Sequence, residues 1–125
     1  MAEQEPVDQS TSDWQTTIGE LREVVRTFVA ERDWNQFHAP KNLSMALAIE
    51  AAELMEHFQW LSVESSRELT DPEKRRLVAE EMSDVFCYLL ALANELDLDI
   101  TDSLRAKMVK NEKKYPAEKY QGRYE

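Results

Sequence analysis

Two pairs of acidic residues lie where a helix is expected to be apolar. Glu50 and Glu53 fall within AIEAAELMEHFQW, and Glu81 and Asp84 fall within EEMSDVFCY. The members of each pair are three residues apart, so on a helix their carboxylates share one side. Hard divalent cations prefer oxygen ligands of this kind, and such a cation can bind phosphates and activate water. The residue types and their spacing predict a divalent-metal site made from two acidic pairs.

The neighbours of both pairs place them towards a core. At about 100° per residue, Glu50 falls on the same helix face as Leu43, Ala46, Leu47 and Leu54. Glu81 is surrounded in the same way by Leu77, Val78, Val85, Tyr88 and Leu92. Four carboxylates inside a bundle would repel one another and lose hydration unless they were protonated or neutralised by cations. We therefore expect these acids to bind a cation, and we expect Glu56 and Glu80, which lie off the stripe, to be solvated.

The register of the two helices brings the pairs to one level. Glu50 lies about ten residues before the end of its helix, and Glu81 about ten after the start of the next, so both are roughly 15 Å from the connection. Mg²⁺ is the expected ion, and Mn²⁺ is a possible substitute. A di-iron carboxylate centre is the competing interpretation, but it requires Glu-x-x-His motifs. His57 follows Glu53 by four residues, which makes iron the weaker candidate.

Helical periodicity recurs four times and no segment alternates as a strand does, so the fold class is predicted to be all-α. The expected helices cover about residues 17–33, 43–60, 72–96 and 101–115. They would form a four-helix bundle in which the second and third helices make the antiparallel hairpin that carries the metal site. The segment WNQFHAPKN at 34–42 is expected to separate the first two helices, with Pro40 biasing Ala39 away from helix. Pro72 lies in the first turn of the third helix.

Composition limits the chain to one domain, predicted over residues 16–117, between a disordered acidic tail at 1–15 and a flexible tail at 118–125. Two glycines cannot build a glycine-rich phosphate loop. A net charge of −10 argues against binding a nucleic-acid polymer or an anionic membrane. The single Cys87, expected in the core, and an apolar-poor start without a secretory signal favour a cytoplasmic protein.

The sequence around the acidic pairs resembles that of a known protein family. EAAE at 50–53 followed by EMSD at 81–84 looks like the ExxE…ExxD signature of the all-α nucleoside triphosphate pyrophosphatases, the MazG-like superfamily. The segments FVAERDWNQFHAPKNL, FQW, EEMSDV and KMVKNEKKYP resemble its dCTP pyrophosphatase subgroup. The resemblance covers about residues 17 to 117 without large gaps.

The resemblance implies Mg²⁺-dependent hydrolysis of a deoxynucleoside triphosphate, dCTP or a modified dCTP, to the monophosphate and pyrophosphate. It implies a homodimer or homotetramer whose sites are formed partly by neighbouring subunits. The metal-ligand and catalytic roles carry over to Glu50, Glu53, Glu81 and Asp84. Nucleotide-binding roles carry over to Trp34, His38, Trp60, Lys107, Asn111, Lys114 and Tyr115.

Several alternatives stay open on the sequence. The nucleophile is expected to be water, and Glu50 is the first of four candidates to activate it, since no Ser, Cys or His shows an activating arrangement. Trp34 and Trp60 could instead close helix ends, His38 could be an ordinary loop residue, and Lys114 could serve the helix dipole. A nucleotide sensor without turnover and a non-catalytic helical interaction module are the rival functions.

Overall fold

The computed structural model describes residues 12–123, and within that range the chain is helical and contains no strand. Both chain ends, at 1–11 and 124–125, lie outside the described residues, together with most of the predicted acidic tail. The helices are α1 (Ile18–Glu31), α2 (Pro40–Glu56), α3 (Val63–Arg67), α4 (Pro72–Leu96), α5 (Ile100–Lys114) and α6 (Ala117–Tyr120). The predicted all-α class is confirmed.

At the start of the long helices, a side chain accepts a hydrogen bond from a free N–H group of the first turn, or a proline occupies the first position. The Thr17 hydroxyl accepts a hydrogen bond from the Glu20 N–H at 3.1 Å and caps α1. In α4, the Asp71 carboxylate accepts from the Glu73 N–H at 3.2 Å, and Pro72 takes the first helical position. The start and end of α4 agree with the sequence prediction, and its end is marked by Asp97 at a positive φ of 51°.

The start and end predicted for the second helix were wrong. Pro40, expected in the segment between the helices, is the first residue of α2, a position where its missing N–H costs nothing. Ala39 before it is extended with ψ 142°, as a residue preceding proline should be. At the other end α2 finishes at Glu56, and residues 57–60 form turns instead of helix. The connection to α4, expected to be irregular, contains the short helix α3.

Three helices supply the core. Helix α2 packs along α4, and α1 packs on α4 as well. Leu43 lies in the same buried cluster as Leu90, while Glu50 meets Glu81, so α2 and α4 are antiparallel. Val25 and Val29 of α1 complete the cluster from the other side. The hairpin predicted to carry the acidic pairs is therefore present.

The fourth long helix stands apart from this core. No residue of α5 is buried, and only Ile100 at its start packs against the core cluster. A groove of about 350 Å³ separates α5 from α4, and its walls are mostly leucine and isoleucine. Beyond α5, where a flexible tail is expected, the chain contains the one-turn helix α6. None of the described helices is both long and apolar enough to cross a membrane.

Candidate metal and nucleotide site

Carboxylates from two helices meet on the inner side of the α2–α4 hairpin. Glu50, Glu53 and Glu81 each offer one oxygen, and these oxygens all lie within 4.8 Å of one another. Asp84 is not a member of that tight group, but it lines the same cavity as Glu50 and its charge acts on Glu50. The antiparallel pairing of α2 with α4 produces this convergence, because it sets residues 50 and 81 at one level.

The carboxylates of the cluster crowd one another. One oxygen of Glu50 and one of Glu81, Oε2 in both, are buried without a hydrogen-bond partner among the described residues. Burial raises the pKa of Glu50 from 4.5 to about 7, with further contributions from a hydrogen bond to Glu53 and from the charges of Glu53, Asp84 and Glu81. Two carboxyls in such contact are most stable when they share a proton or a cation.

These residues fit a hard divalent cation. Mg²⁺ and Mn²⁺ take oxygen ligands, and the cluster offers only carboxylates, two of them with an oxygen that no protein group satisfies. A bound cation would replace the missing partners and remove the repulsion that raises the pKa of Glu50. The donor set and its unpaired oxygens thus agree with the metal site that the sequence predicts.

A cavity of about 240 Å³ adjoins the carboxylates, between α1, α4 and the turn at residues 35–37. Glu50 and Asp84 form its acidic end. The remaining wall is mainly apolar and aromatic, and consists of Val25, Phe28, Val29, Trp34, His38, Cys87, Tyr88 and Ala91. Trp34 packs edge-on against Phe28 with ring centroids 5.6 Å apart. A cavity of this kind can receive a flat ring at its aromatic end, next to a cation held by the carboxylates at its acidic end.

Cys87 does not lie in the core, so that sequence expectation was wrong. Its side chain is exposed and lines the cavity. Partial burial and the nearby Asp84 carboxylate raise the pKa of the Cys87 thiol, which keeps it protonated and unreactive. The sequence carried a signal for this position, because Cys87 follows Asp84 by three residues and must share its side of α4. Tyr88, which follows Asp84 by four, lines the cavity for the same reason.

The structure places two of the predicted nucleotide-binding residues in this cavity, Trp34 and His38. The others lie elsewhere in the single chain. Trp60 is 88% exposed beyond the end of α2, and Lys107 lines the groove between α4 and α5. The remaining three make local contacts: Asn111 donates to the Met108 sulfur at 3.7 Å, the Lys114 ammonium lies 5.3 Å from the Tyr115 ring, and Tyr115 packs against Tyr120.

Known proteins resemble this chain over most of its length. Residues 45–125 match the model of the MazG-like family. The dCTP pyrophosphatase 1 of Mus musculus is 43% identical over 101 residues, which are 80% of this chain and 59% of the mouse protein. The Homo sapiens dCTP pyrophosphatase 1 is 42% identical over 102 residues, covering 81% of this chain and 60% of the human one. The chain thus spans about three fifths of the length of these curated relatives.

A solved structure has the same fold. The crystal structure of a pyrophosphatase from Archaeoglobus fulgidus superposes with a TM-score of 0.74 at 39% sequence identity. The match covers 79% of this chain and 92% of the archaeal one.

Proposed function

The chain belongs to the MazG-like family, and from this premise we propose that it is a nucleoside triphosphate pyrophosphohydrolase acting on dCTP or a modified dCTP. The single observation that carries the proposal is the convergence of Glu50, Glu53 and Glu81 beside an aromatic-lined cavity. The relatives named dCTP pyrophosphatase 1 support the choice of base. The reaction would remove one nucleotide from the pool and yield its monophosphate and pyrophosphate.

We assign the two acidic pairs to a divalent cation, Mg²⁺ with Mn²⁺ as a substitute. Glu50, Glu53, Glu81 and Asp84 would hold it. When bound, the cation supplies positive charge to the phosphate oxygens and lowers the pKa of water. The packing of α2 along α4 brings the carboxylates together.

In the proposed reaction, the oxygen of a water molecule forms a bond to the α phosphorus, and the bond from that phosphorus to the α–β bridging oxygen breaks. Pyrophosphate leaves, and the proton of the water passes to a nearby base. Glu50 is our candidate for that base. Glu50 is both a member of the carboxylate cluster and part of the cavity wall, so its carboxylate borders the proposed cation and the proposed nucleotide.

We assign the aromatic end of the cavity to the base and sugar of the nucleotide. Phe28, Trp34 and Tyr88 provide a wall against which a pyrimidine ring can pack. His38 lies at the same cavity and can hydrogen-bond to polar edges of the nucleotide. With the acidic end holding the phosphates through the cation, the nucleotide would lie along the cavity between α1 and α4.

We further propose that a second copy of the chain completes the site, within a homodimer or homotetramer. No lysine or arginine lines the cavity among the described residues, although a triphosphate carries several negative charges. Lys107, Asn111 and Lys114 follow one face of α5, a helix with no buried residue. From a neighbouring copy this face, with Tyr115 and the exposed Trp60, could reach the nucleotide.

Two expectations from the sequence continue as proposals. The catalytic domain is assigned to residues 16–117, between the two terminal tails. The protein is assigned to the cytoplasm, which is consistent with its single cysteine.

The experiment that tests the activity is incubation of the purified protein with dCTP, dUTP, dTTP, dATP, dGTP and CTP, in Mg²⁺ or in EDTA. Products are resolved as mono-, di- and triphosphates. We expect dCMP and pyrophosphate from dCTP in Mg²⁺ and none in EDTA. Binding of dCTP without turnover of any nucleotide would reject the hydrolase and favour a nucleotide sensor.

A matched pair of variants ties that activity to the carboxylate cluster. Glu81→Gln removes a ligand and should lower kcat by more than the roughly 10- to 100-fold that loss of an outer-shell partner costs. Glu80→Gln is the control, because Glu80 is exposed, forms its ion pair with Arg76 and is not a member of the carboxylate cluster. Equal activity of the two variants would show that the cluster is not the site of hydrolysis.

A further inference from the structure

One histidine adjoins the carboxylate cluster without belonging to either acidic pair. His57 follows the last residue of α2, and its Nε2 lies 4.0 Å from Glu81 Oε1. Both side chains are mostly shielded from solvent, with 29% of His57 and 23% of Glu81 exposed. Within residues 12–123, His57 is the sole basic side chain within 4.0 Å of Glu81.

The two oxygens of Glu81 have different surroundings. Oε1 faces the imidazole of His57, whereas Oε2 is buried and has no hydrogen-bond partner among the described residues. A carboxylate that can rotate freely about its last bond would exchange these two positions. A hydrogen-bond donor on one side fixes the rotation and keeps the other oxygen available for a cation.

The backbone at His57 limits where the imidazole can go. Its N–H donates to the Leu54 carbonyl at 3.3 Å, and the next N–H, of Phe58, donates to Met55 at 2.9 Å. His57 has φ −68° and ψ −17°, so it continues the helical path for one more residue and projects from the same side as Glu53 and Glu50. The backbone of His57 is thus fixed by main-chain contacts that do not depend on Glu81.

We propose that His57 is a positioning residue of the metal site: its Nε2–H faces Glu81 Oε1 and turns Oε2 into the carboxylate cluster. This inference rests on the proposed metal site. The donor–acceptor separation of 4.0 Å exceeds that of a hydrogen bond, which is about 3 Å. Polar contacts of this kind are often long in a ligand-free site and tighten when the ligand is bound.

The experiment compares His57→Leu with His57→Gln in the full chain, using Mn²⁺ alone as the probe in isothermal titration calorimetry. Leucine is similar in size to histidine but has no N–H donor. We expect the leucine variant to bind Mn²⁺ roughly 10-fold more weakly, as loss of an outer-shell partner does. The glutamine variant keeps an N–H donor near the position of Nε2, and we expect it to recover most of the affinity.

Gln59→Leu serves as the matched control, because it makes the same polar-to-leucine change at an exposed position two residues away. Thermal unfolding in EDTA reports whether each variant is folded. Wild-type affinity in His57→Leu, or failure of His57→Gln to restore it, would overturn the positioning role. Because this readout needs no turnover, a protein that binds Mn²⁺ but hydrolyses nothing would reject the proposed function and still test His57.

Discussion

At the scale of single residues, the cost of bringing the carboxylates together is concentrated in Glu50. This side chain is partly buried, contacts Glu53, and experiences the charges of Asp84 and Glu81. In the absence of a cation, one proton shared between Glu50 and Glu53 is the least costly arrangement. The group that we assign to proton transfer is therefore also the one that makes the metal-free protein sensitive to pH.

We expect the metal-free protein to lose stability as pH rises from about 4.5 to about 7. The folded state holds the Glu50 proton up to a pKa of about 7, while in the unfolded chain the ordinary value is 4.5. Over that window the folded state binds more protons, so raising the pH favours unfolding. Thermal unfolding in EDTA at pH 5, 6, 7 and 8 measures the trend. A midpoint that rises over this range would contradict the raised pKa.

Removing the Glu50 charge should stabilise the metal-free protein and abolish metal binding. At pH 8 in EDTA, Glu50→Gln should raise the free energy of unfolding by about 1–2 kcal/mol, because it ends the repulsion within the cluster. It should also abolish Mg²⁺ binding measured by calorimetry. Glu56→Gln, at an exposed position of the same helix, should change neither quantity. Destabilisation by Glu50→Gln in EDTA would show that the acid is satisfied without metal.

At the scale of helices, α1 is held against the end of α4 by hydrogen bonds from Arg22, to which Arg26 adds one to Asn94 Oδ1 at 3.1 Å. The Arg22 guanidinium donates to the Leu98 carbonyl at 2.7 Å, to the Ala93 carbonyl at 3.1 Å and to Asn94 Oδ1 at 2.9 Å. Asn94 Nδ2 returns a hydrogen bond to the Arg22 carbonyl at 3.1 Å. These contacts place a charged donor at the carboxyl end of α4, where the Ala93 carbonyl also accepts from the Leu98 N–H at 3.0 Å. They also fix α1, and with it one wall of the cavity that we assign to the nucleotide.

Arg22→Ala should destabilise the protein by about 1–3 kcal/mol, the usual contribution of hydrogen bonds from a charged group to half-buried acceptors. Because α1 supplies Val25, Phe28 and Val29 to the cavity, KM should rise more than kcat falls. Arg105→Ala, on the exposed face of α5, is the control. Chemical denaturation and steady-state kinetics test the two variants. Equal stability of both would show that the network does not hold α1 in place.

At the scale of the whole molecule, the single chain leaves much apolar surface uncovered. Four exposed leucines line the groove between α4 and α5: Leu89, Leu96, Leu98 and Leu104. Met45 and Ile49 form a second exposed apolar strip on α2, one helical turn apart. Contiguous patches of this kind are uncommon on monomers, and they support the proposed self-association.

Leu104→Glu should reduce the oligomeric state. Leu104 is 59% exposed at the groove, and a second copy packed there would have to bury the new carboxylate. Light scattering after size-exclusion chromatography should show a dimer or tetramer for the wild type and a smaller species for the variant. Lys110→Glu, also on α5, controls for the added charge. An unchanged mass for Leu104→Glu would exclude this groove as the interface.

The sequence alone determined the features that depend on local interactions. Helical periodicity gave the all-α class, and Pro72 in the first turn marked the start of α4. The spacing within EAAE and EMSD, with the equal distances from the connection, was enough to predict that two acidic pairs would meet. The resemblance to the MazG-like family, carried by the same residues, is confirmed.

Only the tertiary structure decided which other residues share the site. Cys87 and Tyr88 face the cavity because α1 packs on α4 and encloses that side, and this packing depends on contacts far apart in sequence. The same holds for His57, whose approach to Glu81 requires α2 and α4 to be antiparallel. The sequence did not predict the separation of α5 from the core. The apolar residues of α5 predict a buried face, but they do not identify the surface against which that face packs. Periodicity and capping are properties of neighbouring residues, whereas a cavity is a property of how whole helices pack.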